Sequence, residues 1–304
     1  MRWLVYFWIA FIGLPFSAMA IEATTDDVYA KVYQVNQEVQ QLKQFKHIDK
    51  VAEASNLTVA LTPGHNWQKA YEILYKINIF RQNNGLPFIA VPSREPLLKL
   101  PPMISYEQME RIVSELQILK YYFGITEELA PTPTFVGKSP TDVYNLLNEI
   151  SSDFDLLNGK NLTPSNVMTQ AVRISEDVNF IMEALGIKNT TIPPKKNIGV
   201  QPGGAFDNFV QLLVEIKRIQ KLIGLSGVDF YAFKPTNRVV TPSDVFSIGG
   251  IALAELQPIK AYLGLKYALT PMAEYYEGMQ PADVQQLVGW NIRKLQLIST
   301  IEQK

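Results

Sequence analysis

Apolar residues recur along this chain at spacings of 4-3-4-3-4, and the same register restarts about every 39 residues. Positions are counted here from the first residue of each copy, taken as zero. In the copy that starts at Gln201, positions 4, 8, 11, 15, 18 and 22 are Ala205, Phe209, Leu212, Ile216, Ile219 and Ile223. In the copy that starts at Thr24 they are Val28, Val32, Val35, Val39, Leu42 and then Lys46. Such a heptad seam predicts helices packed nearly side by side. Copies start at Thr24, Thr62, Pro101, Ser139, Thr163, Gln201, Thr241 and Gln280. A repeat of this period governs the whole architecture.

Each copy carries start and stop chemistry for a helix. The Thr or Ser at zero serves as N-cap. Proline follows in seven copies, from Pro63 to Pro281, at the first helical position where a missing N–H costs nothing. Asp27, Asp142, Asn166, Asp244 and Asp283 stand three residues after zero, the capping-box position, next to the positive helix end. Leu162, Val200, Val240 and Met279 precede their caps and lie at hydrophobic-staple spacing from Val167, Ala205, Val245 and Val284. Gly85, Gly124, Gly186, Gly224 and Gly264 all occupy position 23, each followed by an apolar residue. This is a left-handed C-terminal stop.

Between the helices lie Asp49–Leu61, Pro87–Leu100, Thr126–Lys138, Lys188–Val200, Ser226–Val240 and Lys266–Met279. They are rich in proline and carry apolar residues such as Phe88, Ile89, Phe230, Tyr231 and Phe233. A 22-residue helix spans about 33 Å, and fourteen extended residues reach about 46 Å. Such a linker can climb back to the starting end, so consecutive helices are expected to run parallel. A short strand or helical turn, for instance at Arg94–Leu100, is the competing reading. One linker is missing, between Gly159 and Thr163. The expected fold is therefore all-α: eight helices in two duplicated four-helix bundles, residues 21–160 and 161–304.

Residues 1–20 read as a cleavable signal peptide. Arg2 precedes the apolar run Trp3–Phe16, and Ala18-Met19-Ala20 is a small-x-small cleavage site. The run is short for a membrane span, which needs about 20 residues. Localisation is expected in a bacterial periplasm or outside the cell, with cleavage after Ala20 and no membrane span in the mature chain. The chain has no cysteine, which excludes disulfides, thiol catalysis and thiolate metal sites. Its formal net charge is -1, and no basic stripe points to nucleic acid.

Candidate chemistry is sparse. Position 5 holds Tyr29, Trp67, Tyr106 and Tyr144 in the first half. In a parallel bundle these would gather beside four positive helix ends and form a small-molecule or glycan pocket; the alternative is plain packing beside the seam. His47 and His65 occupy helix-end and helix-start slots, a poor basis for a metal site. Asp153-Phe154-Asp155 with Asn158-Gly159 misses the calcium-loop spacing. Gly249-Gly250 and Pro258 predict a kink or a close approach in the seventh helix, with Gly289 as a candidate partner. Tyr121-Tyr122 and Tyr275-Tyr276 are candidate sugar-stacking pairs. No P-loop, dinucleotide fingerprint, nucleophile elbow or HExxH occurs. The expectation is a non-catalytic binding or scaffold protein without cofactor or metal. Its partner would be another protein or, in the alternative, a small molecule or glycan held by Tyr29, Trp67, Tyr106 and Tyr144.

Overall fold

The computed structural model describes residues 22–54, 56–228, 233–235 and 238–301. The signal peptide expected at 1–20, and Phe230 and Tyr231, lie outside the described residues. Eight helices follow in order: α1 (Thr25–Phe45), α2 (Pro63–Asn83), α3 (Pro102–Phe123), α4 (Pro140–Leu157), α5 (Pro164–Ala184), α6 (Pro202–Leu222), α7 (Pro242–Tyr262) and α8 (Pro281–Gln296). Among the described residues there is no strand, and 94–100 is not helical. No described helix is long and apolar enough to cross a membrane.

The helix ends follow from local chemistry. All eight N-caps fall on the predicted starts, from Thr24 to Gln280. At Thr241 the backbone N–H donates to Asp244 (2.7 Å) while the Asp244 N–H donates to the Thr241 hydroxyl (3.4 Å). Thr24, Ser139 and Thr163 repeat this box. The five predicted stop glycines all have φ between 68° and 73°. The N–H after each one reaches back to the last turn, as in Ile187 N–H to Met182 O at 2.9 Å. His47 takes the same slot with φ 55°, the sole non-glycine with positive φ among the described residues.

Helix contacts close into two rings. In the first, α1 packs on α3 and α4, and α2 packs on the same two. In the second, α5 packs on α7 and α8, and α6 packs on the same two. Within a ring the helices run parallel. In the second ring the first-turn prolines Pro164, Pro202, Pro242 and Pro281 meet at one end. In the first, Ser105 donates to the Pro63 carbonyl at 3.2 Å, and the Leu61 N–H donates to Thr141 at 3.1 Å. At the far end Phe45 and Phe80 both pack on Phe123. The linkers therefore climb back as expected, and helix side chains satisfy their backbone: Asn78 bonds both N–H and C=O of Ile89, each at 2.8 Å.

A parallel ring gives every helix the same pair of edges, so one contact repeats. The basic residue at position 19 of one helix meets the acid at position 14 of the next. Lys43 pairs with Asp153, Arg81 with Glu115 and Lys120 with Glu38 in the first ring. Lys260 pairs with Asp177 in the second, where Gln220 bonds Glu255 in the equivalent place at 2.8 Å. Lys260 and Asp177 are both fully buried. Burial pushes the Asp177 carboxyl up and the Lys260 ammonium down, against their mutual attraction.

The rings join through α2 and α7, which run antiparallel. Along α2, His65, Lys69 and Tyr75 meet Glu255, Ser247 and Phe246 of α7 in turn. Both helices are buried on nearly all sides. Close approach explains the glycine pair in α7. A Cβ on Gly249 would lie 3.3 Å from Gln170 and from Phe209, and one on Gly250 would lie 3.6 Å from Gln68. The helix continues through Pro258. Gly289 is not a partner of Gly250; it faces Pro194 and Asn208.

Candidate functional site

Each of the four aromatic residues at position 5 has its own set of neighbours. Tyr29 packs edge-on against Phe135, with centroids 4.8 Å apart, and Lys138 lies over its ring. Trp67 lies against Tyr71 under the Arg94 guanidinium. Lys31 sits over Tyr106. Tyr144 is buried between Phe233 and Lys69, and burial beside Glu72 raises its hydroxyl well above the usual value. The physical reason is angular. Position 4 faces the ring axis, and position 5 is turned about 100° away from it. Position 4 is what converges: Val167, Ala205, Val245 and Val284 surround a void of about 10 Å³. That is about the least space that holds one water, so the axis of the second ring is plugged at its starting end; in the first ring Tyr106 lines a cleft of about 450 Å³ on the flank.

The histidines are structural. His65 Nδ1 accepts the Thr62 N–H at 3.0 Å, taking the role of the capping acid. Its Nε2 lies 2.8 Å from Glu255 across the α2–α7 seam. Among the described residues no group of three or more His, Asp or Glu could hold a metal ion.

Polar chemistry concentrates at the seam instead. Three charges stand on one face of α2, at spacings of three and four residues. Lys69 is 2.9 Å from Glu72, and Lys76 is 3.4 Å from it. Lys69 also donates to Ser247 of α7 at 2.8 Å, and Lys76 reaches Ser151 at 2.9 Å and Asp155 of α4 at the same distance. Ser151 donates its hydroxyl proton to Glu72 at 2.5 Å. Burial pushes the Glu72 carboxyl up, but Lys69, Lys76 and Ser151 outweigh it and hold it at about 2. Burial raises Asp155 in spite of Lys76. These groups floor a cleft of about 200 Å³ whose rim carries the two-pronged Arg238–Asp244 pair, at 2.6 and 2.7 Å.

A second and wider cleft, about 460 Å³, opens where α2, the 158–163 junction and the 272–275 stretch meet. Asn161 lines both clefts. The wall of the wide cleft is rigidly bonded. Asn166 donates to the Tyr75 hydroxyl at 2.9 Å, Asn158 donates to the Lys76 carbonyl at 3.2 Å, and Asn78 grips Ile89. Its rim is different. Phe88 and Tyr275 are 51% and 57% exposed, and Gln82 and Asn161 are exposed amides. Tyr275 belongs to one of the aromatic pairs legible in the sequence. The amide wall was not expected, because its members come from α2, α4, α5 and two connections.

Fold and site together define an all-α protein of two parallel four-helix rings joined by one antiparallel seam, with clefts beside that seam. No family model matches the chain, and neither the curated proteins nor the solved structures include a match to it.

Proposed function

We propose that this chain is a non-catalytic binding protein, exported by a leader at residues 1–20, that holds a small polar ligand in the wide cleft. The observation that carries the reading is the cleft itself. Its volume, about 460 Å³, falls within the range of about 300–1,000 Å³ typical of ligand sites, which favour interfaces between packed units. Its wall amides are held by the protein, so the site is pre-formed, and little ordering is needed on binding. The non-catalytic part is supported by Ser151. It lies 2.9 Å from Lys76 but is 1% exposed and donates to Glu72, and Ser247, 2.8 Å from Lys69, likewise donates to Glu72.

A thermal-shift screen of residues 21–304 with metabolites and oligosaccharides tests this. A ligand at a hundred times its Kd stabilises by about 2.7 kcal/mol, and Ala273→Trp, which fills the cleft, should abolish the shift. Absence of any shift across the screen counts against the reading. N-terminal sequencing of the exported protein should begin at Ile21.

A second reading, a scaffold for another protein, is favoured by one surface. Ile118, Tyr121 and Tyr122 of α3 are 50%, 89% and 52% exposed, with Phe45 near them at 44%. Cross-linking from Tyr121 should then capture a protein partner, and Tyr121→Ser should lose it.

A further inference from the structure

Resting on the ligand-binding reading just given, we infer that the wide cleft takes an uncharged saccharide, stacked on Tyr275 and Phe88 and held at its hydroxyls by Gln82, Asn83 and Asn161. The lining carries no carboxylate and a single charge, Lys160, which is exposed at the rim. In a molecule that buries so many ion pairs at the same seam, a neutral cleft of this size is a chemical choice. It offers a charged ligand little compensation for desolvation.

The lining amides divide into two sets. Asn78, Asn158 and Asn166 spend their hydrogen bonds on the protein. The side-chain amides of Gln82 and Asn161 make no hydrogen bond to another described residue, and that of Asn83 uses only its Nδ2, on Asn158 at 3.4 Å. A primary amide presents a donor and an acceptor side by side. Neighbouring hydroxyls on a sugar ring present the matching acceptor and donor. The other half of the recognition is apolar. Tyr275 and Phe88 leave about half their surface open on the same cleft, and the C–H face of a sugar ring covers such a surface while its hydroxyls point outward to the amides. Val91 N–H, bonded to the Met272 sulfur at 3.4 Å, ties the 87–100 stretch next to Phe88 to the 266–279 stretch that carries Tyr275. The two aromatic platforms are thereby held together across the rings.

The experiment is titration calorimetry on intact residues 21–304 with maltotriose, cellotriose and chitotriose. An uncharged peptide, an acidic oligosaccharide and an amino acid are run beside them. At least one neutral oligosaccharide should bind. Tyr275→Ala should weaken it about tenfold, the loss expected when roughly 60 Å² of ring face is no longer covered. Gln82→Ala and Asn161→Ala should weaken it as well, and Val136→Ala, an exposed residue before the start of α4 at the opposite end of the first ring, should leave it unchanged. Binding of only the peptide, the acidic sugar or the amino acid, blocked by Ala273→Trp, overturns the saccharide assignment and leaves the ligand-binding reading standing. Neutral saccharide binding insensitive to Tyr275→Ala and Gln82→Ala overturns the assignment of these residues. Absence of binding by every probe, with no shift in the wider thermal screen, overturns both.

Discussion

Glu72→Gln removes the one carboxylate that two buried lysines of α2 share, and its effect follows from the seam geometry. Glu72 is 2% exposed, lies 2.9 Å from Lys69 and 3.4 Å from Lys76, and accepts the Ser151 hydroxyl. Its ordinary value of 4.5 falls to about 2 in the fold, which at about 1.4 kcal/mol per tenfold is about 3 kcal/mol of stability. The folded value is depressed, so this stability is fully present above about pH 4.5 and is lost as pH falls towards 2. At neutral pH the variant also leaves Lys69 without its carboxylate and Lys76 with Asp155 alone; breaking a buried pair in this way costs about 3–5 kcal/mol. The assay is urea unfolding of wild type and variant at pH 7, 5, 3.5 and 2.5. Asp155 and Asp177, raised by burial, gain stability as pH falls through their folded values towards 3.8; Asp177 does so in both proteins, and Asp155 less in the variant, because the Glu72 charge also raises it. The expected gap is about 3 kcal/mol or more at pH 7, closing by most of that amount at pH 2.5. A gap within about 0.5 kcal/mol at pH 7, or one unchanged at pH 2.5, refutes the account of the seam as a charge-paired interface.

Asp177→Ala strands Lys260, which has no exposure, and should cost about 3–5 kcal/mol in the same unfolding assay. His47 is exposed at φ 55°, where a side chain costs about 1–2 kcal/mol, so His47→Gly should raise the melting temperature. Gly249→Val would push its new methyls into Gln170 and Phe209, both 3.3 Å from where a Cβ would stand; overpacking of this kind costs about 1–3 kcal/mol, and thermal melts will read it.

What could be read from the chain was local. A cap, a proline and an acid within four residues specify a helix start without help from the rest of the molecule, which is why all eight starts fall where expected. A glycine at position 23 specifies the stop in the same way. The position-14 and position-19 columns lie in the same alignment, outside the apolar seam at positions 4, 8, 11, 15, 18 and 22. Once the helices are known to be parallel, Lys43, Arg81, Lys120 and Lys260 against Asp153, Glu115, Glu38 and Asp177 become neighbours. The aromatic column stands one residue past the ring axis, since a step of about 100° separates the axis from the flank. The burial of Lys69, Glu72 and Lys76 was not legible. Alone, α2 has the charge of a surface helix, and only docking against α7 turns that face inward.

The missing linker connects architecture to site. Parallel helices align their dipoles, an arrangement whose repulsion is offset by first-turn acids such as Asp27, Asp142, Asp244 and Asp283 and by last-turn bases such as Lys43, Arg81, Lys120 and Lys260. Ordinary linkers return the chain to the same end and keep that pattern within one ring. Between Gly159 and Thr163 there is no room to return, so the second ring starts where the first one ends. Its first helix then opens beside Tyr75, in the second half of α2, where Asn166 meets the tyrosine hydroxyl. Two rings run in opposite directions and joined at that offset cannot close fully around α2. The unfilled space on either side of the junction is the pair of clefts that share Asn161. Lengthening the 158–163 junction would relax that offset, so the wide cleft depends on the shortness of this connection as much as on the residues that line it.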